Sequence, residues 1–156
     1  MKKYILDTNL YVRAFRSQEG AKELESYFTD FTPNTYVSSV VFHELIVGAS
    51  TPSKIRQIRE DLLGPLTRAG RVITPSHSAW DQAGSSIAGM ARKERRELRS
   101  LPKSLVNDFL LAASCRESGA TLVTDNTADF KLIQKYLKHE HVAPWPPRNA
   151  PREPRD

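Results

Sequence analysis

The chain has 156 residues, of which 39% are hydrophobic and 26% charged, and a formal net charge of +5. This length and composition predict one domain with its own core, and no apolar run approaches the roughly 18 residues that span a membrane. A single cysteine, Cys115, excludes a disulfide framework within the chain and a cysteine-rich zinc site. The positive charge weakly favours a polyanionic partner. Because the apolar run before Asp7 is too short for a secretory signal, we expect a cytoplasmic protein with no membrane partner.

Hydrophobic spacing in the first half of the chain predicts strands that alternate with pairs of helices. In order, the predicted elements are a strand ending at Leu6, helices over 10–15 and 19–31, a strand over 36–38, a helix capped by Ser38 or Ser39, a helix that starts at Pro52 and is interrupted at Gly64-Pro65, and a strand over 71–74.

The second half continues this alternation. Its predicted elements are a long helix over 76–98, a helix over 104–118 ended by Gly119, a strand over 120–124 and a short helix over 130–137. The whole pattern predicts an α/β/α sandwich with a mostly parallel sheet of four to five strands. We assign residues 1–145 to this domain. Five of the ten prolines lie between Pro144 and Pro154, so we expect 146–156 to be an extended or disordered Pro/Arg-rich tail.

Several acidic residues occupy positions that should be apolar. Glu44 has Val40, Val41, Val47 and Gly48 three or four positions away on its predicted helix, and Asp108 has Leu105, Leu111 and Ala112. Asp7 ends an apolar strand. Burying an ionised carboxylate costs several kcal/mol unless it is paired or binds a metal. Either each acid has its own arginine or lysine, or the acids share Mg²⁺ or Mn²⁺; the absence of basic helix neighbours favours the shared ion.

A fourth acid is expected after the strand at 120–123. The segment Thr124-Asp125-Asn126-Thr127-Ala128-Asp129 repeats the order of hydroxyl, acid and amide groups that follows the first strand. Both Asp125 and Asp129 are candidates, and either could instead cap the following helix. The sequence leaves this choice open.

These motifs together resemble the PIN domain family over about 130 residues. They are Leu6-Asp7-Thr8-Asn9, Glu44-Leu45 followed by Gly48, Asn107-Asp108 with Ala112-Ala113, and Thr124-x-Asn126-x-x-Asp129-Phe130. Within the family, the chain is most similar to the VapC-like ribonuclease toxins of toxin–antitoxin pairs. The resemblance implies a metal-dependent endoribonuclease with Asp7, Glu44, Asp108 and Asp129 as its acids, beside Thr124 and Asn126. It also implies a homodimer and an antitoxin that inserts a basic side chain among the acids. Asp125 departs from the family pattern.

We expect each group of polar residues to have a distinct role in phosphodiester hydrolysis to a 5′-phosphate and a 3′-hydroxyl. Asp7 and Asp108 would contact the principal metal, Glu44 would orient its water or the nucleophile, and Asp129 or Asp125 would complete a weaker second site. Residues expected to fix the carboxylates are Thr8, Asn9, Asn107, Thr124 and Asn126. Residues expected to contact RNA phosphates are Arg13, Arg16, Arg92, Lys93, Arg95, Arg96, Arg99 and Lys103, although the basic run could also be a solvated helix end.

Two other functions fit parts of the pattern. One is a catalytically silent module that binds RNA or a protein partner. The other is a haloacid-dehalogenase-like phosphatase, which needs a second acid where Asn9 stands. The four histidines, His43, His77, His139 and His141, have no zinc-site spacing, and we expect Trp80 and Trp145 in the core or an interface.

Overall fold

A five-stranded parallel sheet forms the centre of the computed structural model, which describes residues 1–148. The strand order is β3-β2-β1-β4-β5, and every neighbouring pair is parallel. The strands are β1 (Lys3–Leu6), β2 (Thr35–Ser38), β3 (Val72–Ile73), β4 (Ala120–Val123) and β5 (Glu140–Val142). Because β1 is central, its carboxyl end lies between those of β2 and β4.

Helices cover both faces of the sheet. They are α1 (Thr8–Arg16), α2 (Gln18–Phe31), α3 (Ser39–Gly48), α4 (Pro52–Gln57), α5 (Gly64–Arg68), α6 (His77–Lys93), α7 (Lys103–Ser118) and α8 (Thr127–Gln134). A π-helical turn at Ile58–Leu62 joins α4 to α5, and 3₁₀ turns occupy Thr32–Asn34 and Leu98–Ser100. This arrangement confirms the predicted α/β/α fold with a parallel sheet.

Burial on both faces of the sheet accounts for the continuous apolar sequences of the central strands. Ile5 in β1 and Leu122 in β4 are fully buried, as parallel strands covered on both faces must be. Phe109 from α7 and Phe130 from α8 are also fully buried. These contacts fix the ends of β1 and β4 relative to α7 and α8, which carry the candidate acids.

Polar caps begin the helices at the same edge of the sheet. The Asp7 side chain accepts from the Thr8 backbone amide at the start of α1, and the Ser38 side chain accepts from the Val40 amide at the start of α3. Strands β1 and β2 therefore pass directly into helices at their carboxyl ends. Ligands of open α/β sheets bind at this edge.

The long helix ends earlier than predicted, at Lys93 instead of Leu98. Arg95 adopts a left-handed conformation with φ of 54°. Its amide donates to Arg92 O, and the Arg96 amide donates to Ala91 O at 2.9 Å, which is the Schellman pattern of a helix end. The prediction was wrong because glycine usually occupies this position and none stands here.

Three other element boundaries differ from the predictions. Helix α8 begins at Thr127, three residues before the predicted start; Asn126 occupies the N-cap position, and its carbonyl accepts from the Phe130 amide at 3.2 Å. The Gly64-Pro65 pair begins α5, and the π-helical turn just before it ends the preceding helix. Strand β5 had no counterpart among the predicted elements, since Val142 is the only aliphatic residue in its three positions.

The two tryptophans have different environments. Trp80, expected in a core or an interface, is 58% exposed in the described protein. Trp145 is half-buried and stacks on Tyr27 with ring centroids 5.2 Å apart. Of the predicted tail, residues 146–148 lie near α2, and 149–156 fall outside the described residues. No helix among residues 1–148 combines the length and apolar character needed to cross a membrane.

The left-handed residue at the end of α6 gives a test of the fold. Replacing Arg95 by glycine should raise the free energy of unfolding by about 0.5–1 kcal/mol, because glycine adopts a positive φ without steric cost. Ala88→Gly, in the interior of α6, should lower it by a similar amount. Urea denaturation of both variants checks this. A destabilised Arg95→Gly protein would contradict the helix end described here.

Candidate active site

Asp7 is the best-buried acid of the site, with 6% of its surface exposed. Its Oδ1 accepts from the Thr8 backbone amide at 2.7 Å. Its Oδ2 accepts from Thr124 Oγ1 at 2.6 Å and from Asn9 Nδ2 at 3.2 Å. Asp7 is therefore held by groups from the start of α1 and the end of β4. Of the predicted supporting residues, Thr8, Asn9 and Thr124 all lie around this one carboxylate.

Glu44 is linked to Asp7 through Thr8. The Thr8 hydroxyl donates to Glu44 Oε1 at 3.2 Å, so adjacent groups of Thr8 contact two different acids. Glu44 is half-buried on α3. Burial raises its pKa, the charge of Asp7 adds to the rise, and the Thr8 hydroxyl and the Asn107 side chain oppose it. Glu44 and Asp7 thus interact through their charges and through their common donor residue, Thr8.

Asp108 is half-buried on α7, next to the fully buried Phe109. Burial raises the pKa of Asp108 to about 7, and the charges of Asp7, Glu44 and Asp129 contribute to that rise. The charges of three other carboxylates, from Asp7, Glu44 and Asp129, thus act on Asp108. The fold thus brings together acids from four separate elements.

The structure gives the two candidates for the fourth acid different partners. Asp129, in the first turn of α8, accepts from Asn126 Nδ2 at 2.8 Å. Asp125 instead forms an ion pair with Arg13, with Nη1 and Oδ2 3.1 Å apart. The charge of Asp125 raises the pKa of Asp7 as the smallest of its causes. Asp129 is therefore the acid whose charge acts on Asp108, while Asp125 shares the Arg13 guanidinium with Glu23.

The four acids suit a hard divalent cation. Burial raises the pKa of Asp7, against the effect of hydrogen bonds from Thr124 and Thr8. Within residues 1–148, no lysine or arginine lies in ion-pair contact with Asp7, Glu44, Asp108 or Asp129. The buried Asn9 Oδ1 also has no hydrogen-bond partner there. An oxygen-rich set with uncompensated charge is the donor chemistry that Mg²⁺ or Mn²⁺ takes.

The side chains are not already arranged as a coordination sphere. In the described part of the chain, no group of three or more His, Cys, Asp or Glu residues is disposed to hold an ion as it stands. Hydrogen bonds from Thr8, Asn126 and Thr124 hold three of the carboxylates, those of Glu44, Asp129 and Asp7. If an ion binds, the acids must therefore turn toward it.

The predicted basic residues have different surroundings. Arg92 and Lys93 end α6, and the Lys93 ammonium lies 5.9 Å from the Tyr136 ring. Arg96 lies 4.0 Å from Glu94, which accepts from the Tyr136 hydroxyl. Arg13 lies between carboxylates of Glu23 and Asp125. The remaining members of the predicted set, Arg16, Arg95, Arg99 and Lys103, are exposed.

Beside Glu44 lies a cleft of about 240 Å³ between α1, α3 and α4. Its walls include Val12, Phe15 and Leu45, and its charged groups are Glu44, Arg16 and Lys54. Sequence reasoning missed Lys54, because nothing in its local pattern distinguishes it from other surface lysines. Glu44 thus belongs both to the acidic site and to a cleft lined by apolar side chains.

Comparison with known proteins agrees with this fold and site. The family model described as PIN domain matches residues 4–136. The chain belongs to the PIN domain family. A search of curated proteins finds no match. The resemblance inferred from the motifs is therefore confirmed.

Solved structures with the same fold come from toxin–antitoxin systems. One is a chain of DNA-bound VapBC from Salmonella typhimurium, with a TM-score of 0.67, 22% identity, and 92% of this PIN domain protein and 98% of that chain covered. VapBC2 from Rickettsia felis, bound to a promoter DNA fragment, gives a TM-score of 0.61, 22% identity and coverages of 92% and 98%. FitAcB from Neisseria gonorrhoeae gives a TM-score of 0.62 and 19% identity, with 91% of this protein and 98% of that chain covered.

Repulsion among the acids predicts a pH-dependent effect of Asp108→Asn. A pKa raised to about 7 in the folded state, against about 3.9 unfolded, means that ionised Asp108 destabilises the metal-free fold above pH 7. In EDTA at pH 8, the variant should have a Tm roughly 2–4 °C higher, the shift that about 1 kcal/mol gives in a domain of this size.

The advantage of Asp108→Asn should shrink as the pH falls from about 7 toward 4, because folded wild-type Asp108 is neutral in this range and its ionisation in the unfolded chain favours unfolding less at each lower pH. Calorimetry across this range is the measurement. Asp81→Asn, an exposed acid on α6, is the control and should leave Tm unchanged. A lower Tm for Asp108→Asn at pH 8 would contradict the repulsion.

Proposed function

We propose that this PIN domain protein is a metal-dependent endoribonuclease that hydrolyses RNA to a 5′-phosphate and a 3′-hydroxyl. The observation that carries the proposal is the meeting of Asp7, Glu44, Asp108 and Asp129 at one sheet edge, with raised pKa values at the first three and no basic partner in the described chain. Structural acids would be expected to have such partners. Sites of phosphoryl chemistry gather carboxylates in this way to hold cations.

Each acid has a role that follows from its contacts. Asp7 and Asp108 would hold the principal Mg²⁺ or Mn²⁺, and Asp129 would contribute to a second, weaker site. When bound, the ion would lower the pKa of water and neutralise charge that develops on the phosphate. Thr124 and Asn9 fix the Asp7 carboxylate. Glu44, with one oxygen held by Thr8, would use the other to orient the attacking water.

The same contacts argue against the phosphatase alternative. A nucleophilic aspartate needs an oxygen free to attack phosphorus. Both oxygens of Asp7 already accept hydrogen bonds, from Thr8, Thr124 and Asn9. The carboxylate is better suited to binding an ion than to forming a covalent intermediate.

The cleft beside Glu44 supports a protein partner of the antitoxin class. Its apolar walls include the exposed Phe15, and Val47, which is 71% exposed, lies on α3 between the lining residues Leu45 and Gly48. The structural neighbours are VapBC and FitAB complexes. We propose that an antitoxin segment covers this cleft and places a basic side chain near the acids, where it would relieve their repulsion. Homodimerisation, as implied by the family, belongs to the same proposal.

Cleavage assays with substitutions at the acids test the nuclease function. Purified protein should cut structured RNA with Mg²⁺ or Mn²⁺, and EDTA should abolish cleavage. Asp7→Asn and Asp108→Asn should lower kcat/KM by about 100-fold or more, because they remove charge that holds the ion. Asp129→Asn should cost more than Asp125→Asn, and Asp81→Asn should match wild type.

Two results would count against this function. Cleavage that persists in EDTA or in both Asp7→Asn and Asp108→Asn would refute the metal mechanism. RNA binding without cleavage under every metal would instead support the silent module.

Salt dependence of RNA binding tests the basic run. If Arg96 and Arg99 contact phosphates, replacing both by alanine should reduce the slope of log K against log salt by about 1.4, at roughly 0.7 per contact for single strands. Filter binding between low and physiological salt, in EDTA to prevent cleavage, measures the slope. Arg116→Ala, in the last turn of α7 and far from Asp108, is the matched control. An unchanged slope in the double variant would exclude these two contacts.

A further inference from the structure

Arg13 connects three parts of the structure through its guanidinium group. Its Nη2 lies 3.2 Å from Glu23 Oε2 on α2, and its Nη1 lies 3.1 Å from Asp125 Oδ2 after β4. Arg13 itself belongs to α1. One planar side chain thus joins two helices to the loop that leads into the acidic site, a geometry that the forked guanidinium makes possible and a lysine ammonium does not.

The main chain holds the Arg13 stem in place. A side chain at Gly20 would place its Cβ 2.5 Å from Arg13 O and 2.8 Å from Arg13 Cγ. Helix α2 therefore approaches α1 closely only because residue 20 is glycine. The Ser17 hydroxyl accepts from the Gly20 amide at 3.0 Å, and the Ser17 amide donates to Arg13 O at 3.1 Å. The backbone and the first side-chain carbons of Arg13 are consequently held in place, and the guanidinium group extends from them.

Asp125 is flanked by the two residues that arrange the acids. Thr124 donates to Asp7 at 2.6 Å and accepts from the Asn126 amide at 2.9 Å. The Asn126 side chain donates to Asp129. Fixing Asp125 therefore fixes the turn that holds both Asp7 and Asp129. Arg13 also places positive charge beside Asp125, whose own charge contributes to the raised pKa of Asp7.

The C-terminal segment contacts the opposite end of this bridge. The Trp145 indole N–H donates to Glu23 Oε2 at 3.4 Å, the oxygen that also contacts Arg13. Trp145 stacks on Tyr27 of α2, and Arg148 Nε lies 2.7 Å from Asp30 Oδ2 on the same helix. A continuous series of contacts thus runs from Trp145 through Glu23 and Arg13 to Asp125.

We infer that Arg13 is a positioning residue of the active site, and that Trp145 secures it through Glu23. This inference rests on the proposed nuclease function. It gives Arg13 a different role from the phosphate contact expected from the sequence, because its charge is matched by two carboxylates. It also gives the segment after β5 a part in catalysis, although that segment lies on α2 and away from the acids.

Kinetics distinguish a positioning residue from a phosphate contact. Arg13→Ala should lower kcat by about tenfold or more, with little change in KM, since small displacements of catalytic groups have effects of this size. Glu23→Gln should also lower kcat, and the double variant should fall no further than Arg13→Ala. Arg13→Lys should not restore the wild-type rate. Arg116→Ala is the matched control and should match wild type.

A direct contact between Arg13 and RNA predicts different kinetics. If Arg13 contacts RNA phosphate directly, Arg13→Ala should raise KM at constant kcat, and Glu23→Gln should lower KM by freeing the guanidinium. That pattern, or wild-type kinetics in Arg13→Ala, would overturn the inference.

Fluorescence tests the bridge without any nuclease assay. The chain has two tryptophans, so Trp80→Phe leaves Trp145 as the only one. In that background Arg13→Ala should shift Trp145 emission to longer wavelength, because Glu23 loses the group that orients it, whereas Arg116→Ala should not. Unchanged emission would overturn the link to Trp145. If wild-type protein cleaves no RNA, the proposed function fails, while the fluorescence result still decides whether the bridge exists.

Discussion

The burial of Asp7 at the end of the central strand is the constraint on which the rest of the site depends. Its carboxylate receives a backbone amide from Thr8 and side-chain donors from Thr124 and Asn9, yet burial still raises its pKa. Glu44, Asp108 and Asp129 lie near enough to add repulsion. Such an arrangement costs several kcal/mol of folding free energy unless a cation compensates it. The structure tolerates that cost at the sheet edge where α/β proteins bind ligands.

Basic and hydrogen-bonding groups of the protein compensate the negative charge of only some of the acids. Arg13 matches Asp125, and Asn126 donates to Asp129, but no lysine or arginine of residues 1–148 pairs with the four acids that face one another. Charge balance is therefore available from outside the described chain, from a metal ion or from a basic residue of a partner. Both sources belong to the proposed function, and they would compete for the same carboxylates.

The sequence predicted the parts of the site that depend on local pattern. Glu44 and Asp108 were identifiable because their helix neighbours are apolar, and Asp7 because an apolar strand ends at it. Such reasoning could not distinguish Asp125 from Asp129, since their surroundings differ mainly through Arg13, which is distant in sequence and pairs with Asp125. The end of α6 was predicted wrongly because Arg95, not glycine, takes the left-handed conformation. Strand β5 was missed because its pairing with β4, not its composition, makes it a strand.

Titration of the Asp108 carboxyl carbon by NMR tests the central claim most directly. With Asp108→Asn used for assignment, metal-free protein should show an apparent pKa near 7, and saturating Mg²⁺ should lower it by well over one unit, because a bound cation favours the ionised form. An apparent pKa near 4 in the metal-free protein, unchanged by Mg²⁺, would mean that the acids neither repel one another nor share an ion.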